Sequence, residues 1–293
     1  MNICIHCGRC EVCARHQTER PDPGPALALE AQHLHAAAGC RELAVLYQPT
    51  LDLASGRIDN VEALLRWQHP EHGALLPASF LSLAERSGAI VQIGAWVLDT
   101  ALRQLRCWTK AGVEVGSVSV NVSAQQLRSP GFLLQLEQAL ERHRIAPERV
   151  ILDVRASSLQ CECAPIGRVL AGLAELGVGM SLDDFGVGRS SLSRLQQLPV
   201  REIKIDASLV RDIERSAKAR KMAAALVALG KALGLRVVGE GVETIGQQVL
   251  LAEMDCDAIQ GFHIGHACSP ALIAPLIAHY ASRQSRVEDI FGL

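Results

Sequence analysis

The sequence predicts one closed α/β barrel whose first strand runs against its neighbour, and three features carry the prediction. Eight short apolar runs recur from residue 43 onward, amphipathic segments separate most of them, and the link between the first two runs is too short to hold a helix. Apolar runs alternating with helical patterns imply parallel strands joined by crossover helices, and eight such units close into a barrel of roughly 250 residues. The 293 residues accommodate that domain with short flanking segments, divided here as a 1–40 thiol- and proline-rich segment, a 41–282 barrel and a 283–293 tail.

The strand-like runs fall at residues 44–53, 60–67, 118–122, 150–154, 179–185, 203–205, 237–241 and 258–262. The stretches 80–86, 93–110, 132–143, 167–176, 217–233 and 245–253 carry apolar residues at three- and four-residue spacing, the mark of a helix with one buried face. Residues 54–59 are too few for a right-handed crossover helix, so the first two strands are expected to form an antiparallel hairpin. The tail places Val287, Ile290, Phe291 and Leu293 among charges, a pattern that suits capping of the barrel or contact with a partner.

A hydrophobic fraction of 49% with 20% charged residues supplies a large core and argues against disorder. The formal net charge of −2 gives no basic footprint for duplex nucleic acid, so any phosphate recognition must be local. No apolar stretch reaches membrane-spanning length and no charged leader precedes an apolar core, so the expectation is a cytoplasmic protein without membrane attachment. In that compartment the ten cysteines stay mostly reduced, and Cys40, Cys107 and Cys256 read as small buried hydrophobes.

Cys4, Cys7, Cys10 and Cys13 form CIHCGRCEVC, with His6 and His16 nearby and Pro21, Pro23 and Pro25 following as a stiff break. The array is a ligand set for Zn²⁺ or an iron–sulfur cluster, or else a flexible thiol-rich tail. One tetrahedral zinc more often uses two CxxC pairs separated by a longer loop, so the spacing leaves both readings open.

The stretch 180–191, MSLDDFGVGRSS, reads as a buried parallel strand delivering carboxylates to its carboxyl end, where barrel enzymes keep their chemistry. Asp183 and Asp184 point to opposite faces of a regular strand, so both serve one site only if the chain twists there; Gly186 and Gly188 are the expected pivots. The other runs add Glu62, Asn121, Asp153, Lys204 with Asp206, Glu240 with Glu243, and Gln260. Ionisable groups inside apolar strands are costly to bury alone, and nearly every strand contributes one. A ring of hard oxygen donors with one amide suits Mg²⁺ or Mn²⁺, because imidazole and thiolate are missing from it.

These residues resemble the EAL domain of bacterial cyclic di-GMP phosphodiesterases, over about residues 43–270. Glu62-Ala63-Leu64 lies within EALLRW, followed by NVSAQQL from Asn121, DDFGVGRSSL from Asp183, IKID from Ile203, GEGVET from Gly239 and QGF from Gln260. The resemblance implies a modified TIM (β/α)8 barrel with an antiparallel first strand, a signalling role, and hydrolysis of cyclic di-GMP to linear pGpG with two divalent cations. By the same resemblance Glu62, Asn121, Asp153 and Asp183 hold one cation, while Asp183, Asp184 and Glu240 hold the second. Lys204 orients the attacking water with Glu62 and Glu240 as catalytic partners, and Gln48, Arg66 and Gln260 contact substrate. A homodimer is implied as well, with 201–212 the segment to inspect.

Asp153 stands where the family has glutamate, one methylene shorter and about 1.5 Å short in reach. Ala156 stands where a second glutamate anchors the loop after the DD pair, and Val187 and Arg189 replace the usual threonine and tyrosine. Mg²⁺ tolerates little error in oxygen distance, so weaker metal affinity and slow turnover are expected. The alternatives are a catalytically silent module that binds cyclic di-GMP or a protein partner, and a redox- or metal-responsive switch gated by the N-terminal cysteines.

Overall fold

The structure is a computed structural model that describes residues 31–156, 164–187 and 198–291. Its sheet begins with β1 (Leu43–Asp52) and β2 (Ile58–His69), which pair antiparallel in a register running from Leu43 opposite Trp67 to Leu51 opposite Ile58. Five residues join them, as the short link requires. From β2 the order proceeds through β4 (Ser117–Asn121), β5 (Val150–Arg155), β6 (Gly179–Phe185), β7 (Glu202–Ile205), β8 (Arg236–Gly239) and β9 (Ala258–Gln260), each parallel to the last. Strand β1 also pairs antiparallel with β9, Thr50 lying opposite Gln260, and this second pairing closes the cylinder. A three-residue strand, β3 (Gly73–Leu75), folds back on the end of β2 outside the barrel.

Helices surround the cylinder: α1 (Ala31–Ala36), α2 (Pro77–Ser87), α3 (Ala89–Lys110), α4 (Ala124–Arg128), α5 (Phe132–His143), α6 (Ala164–Leu176), α7 (Ala207–Arg211), α8 (Ala217–Ala232), α9 (Ile245–Glu253) and α10 (Pro270–Phe291). Helix α3 shows the logic. Ile90, Ile93, Val97, Leu98, Ala101, Leu102, Leu105 and Trp108 recur every three or four residues and are buried, each large side chain contributing roughly 1.5–3 kcal/mol by leaving water. Trp108 also donates its indole N–H to the Pro270 carbonyl, tying α3 to the start of α10.

Four helices were not legible in the pattern. Helices α4 and α7 are one turn long, too short for periodicity to register, and are fixed by caps: Ser123 with Gln126 forms a reciprocal capping box, and Asp206 accepts from the Ser208 N–H. Helix α1 falls in the segment read as linker, yet buries Leu34 completely; α10 runs through Pro275 and across residue 283. Strand β8 stops two residues early because Gly241 sits at φ +68°, packed so tightly on Ala207 that a Cβ there would clash.

Three sequence expectations need correction. Cys40 and Cys107 are exposed and only Cys256 is buried, where burial pushes its thiol up to about 12. Cys107 lies beyond the buried stripe of α3, and Cys40 sits in the turn between α1 and β1, so an apolar neighbourhood in sequence did not mean burial. Glu243 is exposed beyond the barrel rim. Cys4, Cys7, Cys10 and Cys13, and Arg189, lie outside the described residues. Among the described residues no helix is long and apolar enough to cross a membrane.

Candidate active site

The barrel interior departs from the branched-apolar filling usual in such folds. Asn60, Glu62, Ser119, Asp153, Ser181, Glu202, Lys204 and Gln260 are all buried. Their spacing explains this: residues two apart on a strand share a face, so Asn60 and Glu62, Ser181 and Asp183, and Glu202 and Lys204 all enter together. In the middle layer Asn60 donates to Ser119 Oγ at 2.9 Å and accepts from Ser117 Oγ at 3.0 Å. At the amino-terminal end of the parallel strands Arg236 pairs with Asp59 at 2.6 Å and Asp52 at 3.4 Å.

At the carboxyl end the cluster centres on Lys204. Its Nζ lies 2.7 Å from Asp153 Oδ2, 3.3 Å from Glu62 Oε2 and 3.3 Å from Glu240 Oε1. Burial alone would lower this lysine, but Asp153, Glu62 and Glu240 outweigh it and hold the ammonium well above the usual lysine range. Glu62 is held from two more sides: Gln260 Nε2 donates to Oε2 at 2.6 Å and Asn121 Nδ2 to Oε1 at 2.6 Å. Burial acts to raise Glu62, and Lys204 with these two amides overcomes it, keeping the carboxylate charged. Gln260 is itself fixed by Thr50 Oγ1, which donates to its Oε1 at 3.1 Å, and its Nε2 also lies 3.4 Å from Gln48 Oε1. Gln48 donates in turn to the Gly265 carbonyl.

The remaining carboxylates are pushed toward their protonated form. Burial first, then Glu62 and Glu202, push Asp153 up against the opposing pull of Lys204; burial, Asp183, Glu62 and Asp153 push Glu240 well up. Asp153 Oδ1 is buried with no hydrogen-bond partner. As the side chains stand, no three His, Cys, Asp or Glu groups among the described residues converge closely enough to clasp one ion.

Asp183 and Asp184 reach the site by a backbone reversal that uses Gly186, as expected, and Asp184 itself, while Gly188 lies outside the described residues. Asp184 has φ +57°, in the left-handed region, and the β6–β7 register slips between Leu182 and Phe185. Asp183 Oδ1 accepts from the Asp184 N–H at 2.9 Å, and Gly186 follows at φ +95°. Asp184 then turns toward Arg155, 3.5 Å away, with Asp206 alongside. Arg66 donates to the Leu65 carbonyl at 2.9 Å. The carboxylate cluster opens into a cleft of about 1050 Å³ whose other wall is apolar, including Leu64, Leu81, Ile90 and Ile93.

Sequence reasoning missed Thr50 and Glu202. The two-residue step from Glu202 to Lys204 was the available signal for the second; Thr50 had none, because only the β1–β9 pairing brings it to Gln260.

Comparison with known proteins gives a consistent result. An EAL domain family model matches residues 31–267. The chain is 42% identical over 232 residues, 79% of its length, to the bifunctional diguanylate cyclase/cyclic di-GMP phosphodiesterase MucR of Pseudomonas aeruginosa, of which it covers 34%. It is 39% identical over 231 residues to the cyclic di-GMP phosphodiesterase NbdA of the same organism, covering 30% of it, so the chain spans about a third of these relatives. The solved structure of PaMucR phosphodiesterase in complex with c-di-GMP superposes with a TM-score of 0.78 at 41% identity, covering 82% of this chain and 98% of that one. The EAL enzyme Bd1971, bound to cAMP and cyclic di-GMP, gives a TM-score of 0.79 at 28% identity over 84% of this chain and 68% of that one.

Proposed function

Because the chain belongs to the EAL domain family, we propose that it hydrolyses one phosphodiester of cyclic di-GMP to linear pGpG. The observation that carries this reading is the buried ammonium of Lys204 set among Asp153, Glu62 and Glu240, of which Glu62 and Asp153 line a cleft with one polar and one apolar wall. Such a cleft suits a ligand with charged phosphates and flat purines. The similarity to NbdA and to MucR, whose phosphodiesterase is solved with c-di-GMP, supports the same substrate.

The donor set fits a hard divalent cation. Its members are carboxylate and amide oxygens, the buried Asp153 Oδ1 lacks a partner, and Asp153 and Glu240 are raised by burial first and by neighbouring carboxylates second. Glu62, Asn121, Asp153, Asp183, Asp184 and Glu240 would hold Mg²⁺ or Mn²⁺, which supplies Lewis acidity and a more acidic bound water. The chain's own part is positioning. Lys204 stays protonated at neutral pH, so it offers N–H donors to the attacking water and takes no proton from it. Gln260 and Asn121 fix both oxygens of Glu62, so this carboxylate keeps its orientation. In the reaction the water oxygen bonds to phosphorus, the P–O3′ bond breaks, and the leaving oxygen takes up a proton. Gln48, Arg66 and Gln260 complete the substrate contacts in this proposal.

A second reading has its own support: Asp153, already short, commits one oxygen to Lys204 at 2.7 Å, and Ala156 offers no carboxylate to the following loop. Turnover is therefore slow, or the module binds cyclic di-GMP without cleaving it and signals through a protein partner. A thiol-rich N-terminal segment ahead of a barrel unit that takes in α1 and α10, a cytoplasmic location, a homodimer through 201–212, and Zn²⁺ or an iron–sulfur cluster on the N-terminal cysteines complete the proposal. Incubation with cyclic di-GMP and Mn²⁺ tests it: linear product that falls by at least about 10²-fold in Glu62→Ala supports the enzyme. Tight binding with no product supports the silent module, and neither binding nor product sinks both.

A further inference from the structure

The register of β5 against β6 sets Arg155 directly opposite Asp183, one residue from the reversed Asp184. Arg155 Nε reaches Asp184 Oδ2 at 3.5 Å, and the two side chains remain 58% and 44% exposed. A guanidinium so exposed is paired but not locked, since solvent competes for both partners. Asp184 lies beside two further acids, Asp183 and Asp206, and Arg155 is the cation that opposes them. Arg155 also lines the same cleft as Glu62, Asn121 and Asp153, so it stands between the carboxylate turn and the space where an anionic ligand enters.

We propose that Arg155 is a resident counter-ion for Asp184 that gives way to a divalent cation and then pairs with a phosphate of the incoming nucleotide. The proposal rests on the phosphodiesterase reading and deepens it, assigning a role that follows from this chain's own Arg155. Two cations compete for one carboxylate: with the guanidinium on Asp184 a divalent ion binds less tightly, and once the ion has taken that oxygen the guanidinium needs a new anion. A phosphate accepts an arginine in two parallel hydrogen bonds, and Arg155 lines the cleft that would receive one. An arginine that merely braced the turn would behave in the opposite way, because its loss would loosen Asp184 and weaken the ion.

Calorimetric titration of the nucleotide-free protein with Mn²⁺ and, separately, with cyclic di-GMP in the presence of Mn²⁺ decides between them, KM replacing the second titration where the nucleotide is turned over. Arg155→Met, which keeps length and removes charge, is expected to bind Mn²⁺ about threefold to fivefold more tightly and the nucleotide about tenfold more weakly. Arg155→Lys should stay near the parent protein for Mn²⁺ and recover part of the nucleotide affinity. Unchanged thermal melting of both variants verifies the fold. Weaker or unaltered Mn²⁺ binding in Arg155→Met overturns the exchange, as does unaltered nucleotide affinity. If the parent protein binds Mn²⁺ but no nucleotide, the phosphodiesterase reading fails, while the Mn²⁺ titration still judges the competition for Asp184.

Discussion

At the residue scale, the site is decided by how few cations face how many carboxylates. Lys204 donates to Asp153 Oδ2 and Glu62 Oε2 and lies in ion-pair range of Glu240, which leaves Asp153 Oδ1 without a donor. The missing methylene of Asp153 is felt here: a shorter arm drawn toward Lys204 has less reach for an ion. Asp153→Glu is accordingly expected to tighten Mn²⁺ binding severalfold and to raise turnover. The added methylene enters a fully buried position, where overpacking costs about 1–3 kcal/mol, so the melting temperature should fall slightly at the same time. Weaker Mn²⁺ binding in a variant that still folds would contradict the argument. Lys204, Asp153 and Glu62 were all legible in the sequence because charge inside an apolar run is conspicuous. Their mutual distances were not, because no spacing in one strand reports the register of another.

At the element scale, the barrel is kept in shape by helix pairs whose contacts are partly ionic. Asp99 on α3 accepts from His143 Nε2 at 2.9 Å and Arg142 Nη1 at 2.8 Å on α5. Partial burial works against the Asp99 carboxylate, but His143 and Arg142 overcome it and hold the group below its usual range. A carboxyl depressed in the folded state adds stability above its unfolded value, near 3.9, and loses it as pH falls through the lower folded value. The pair is half-exposed, so the contribution is about 0.2–1 kcal/mol. Urea melts of the parent and Asp99→Asn should therefore differ near pH 5, and the gap should shrink steadily as pH falls below about 4. A gap that persists at pH 3 would show the contact to be steric. Sequence pattern located α3 and α5 closely, since each presents several turns of apolar stripe, but it gave no sign that Asp99 faces α5.

At the scale of the whole molecule, closure makes the site. Strand β1 pairs with β2 on one side and β9 on the other, bringing Gln48, Thr50, Glu62 and Gln260 to a single rim although up to 212 residues separate them. An ion bound at that rim links several strands, so Mn²⁺ at a hundred times its dissociation constant should stabilise the fold by about 2.7 kcal/mol, a rise of several degrees in melting temperature that EDTA reverses. The same rise in Glu62→Ala would show that the ion binds elsewhere. The sequence by itself determined the barrel, its reversed first strand and the strands that bear the acids, because hydrophobic period, link length and buried charge are local properties of the chain. Tertiary structure alone decided that Asp184 is a pivot of its own turn, that Arg155 meets it, that Thr50 steadies Gln260, and that Cys40 and Cys107 face solvent. Those facts depend on which strands become neighbours and in what register, and that is set by the free energy of closing the whole sheet around one core.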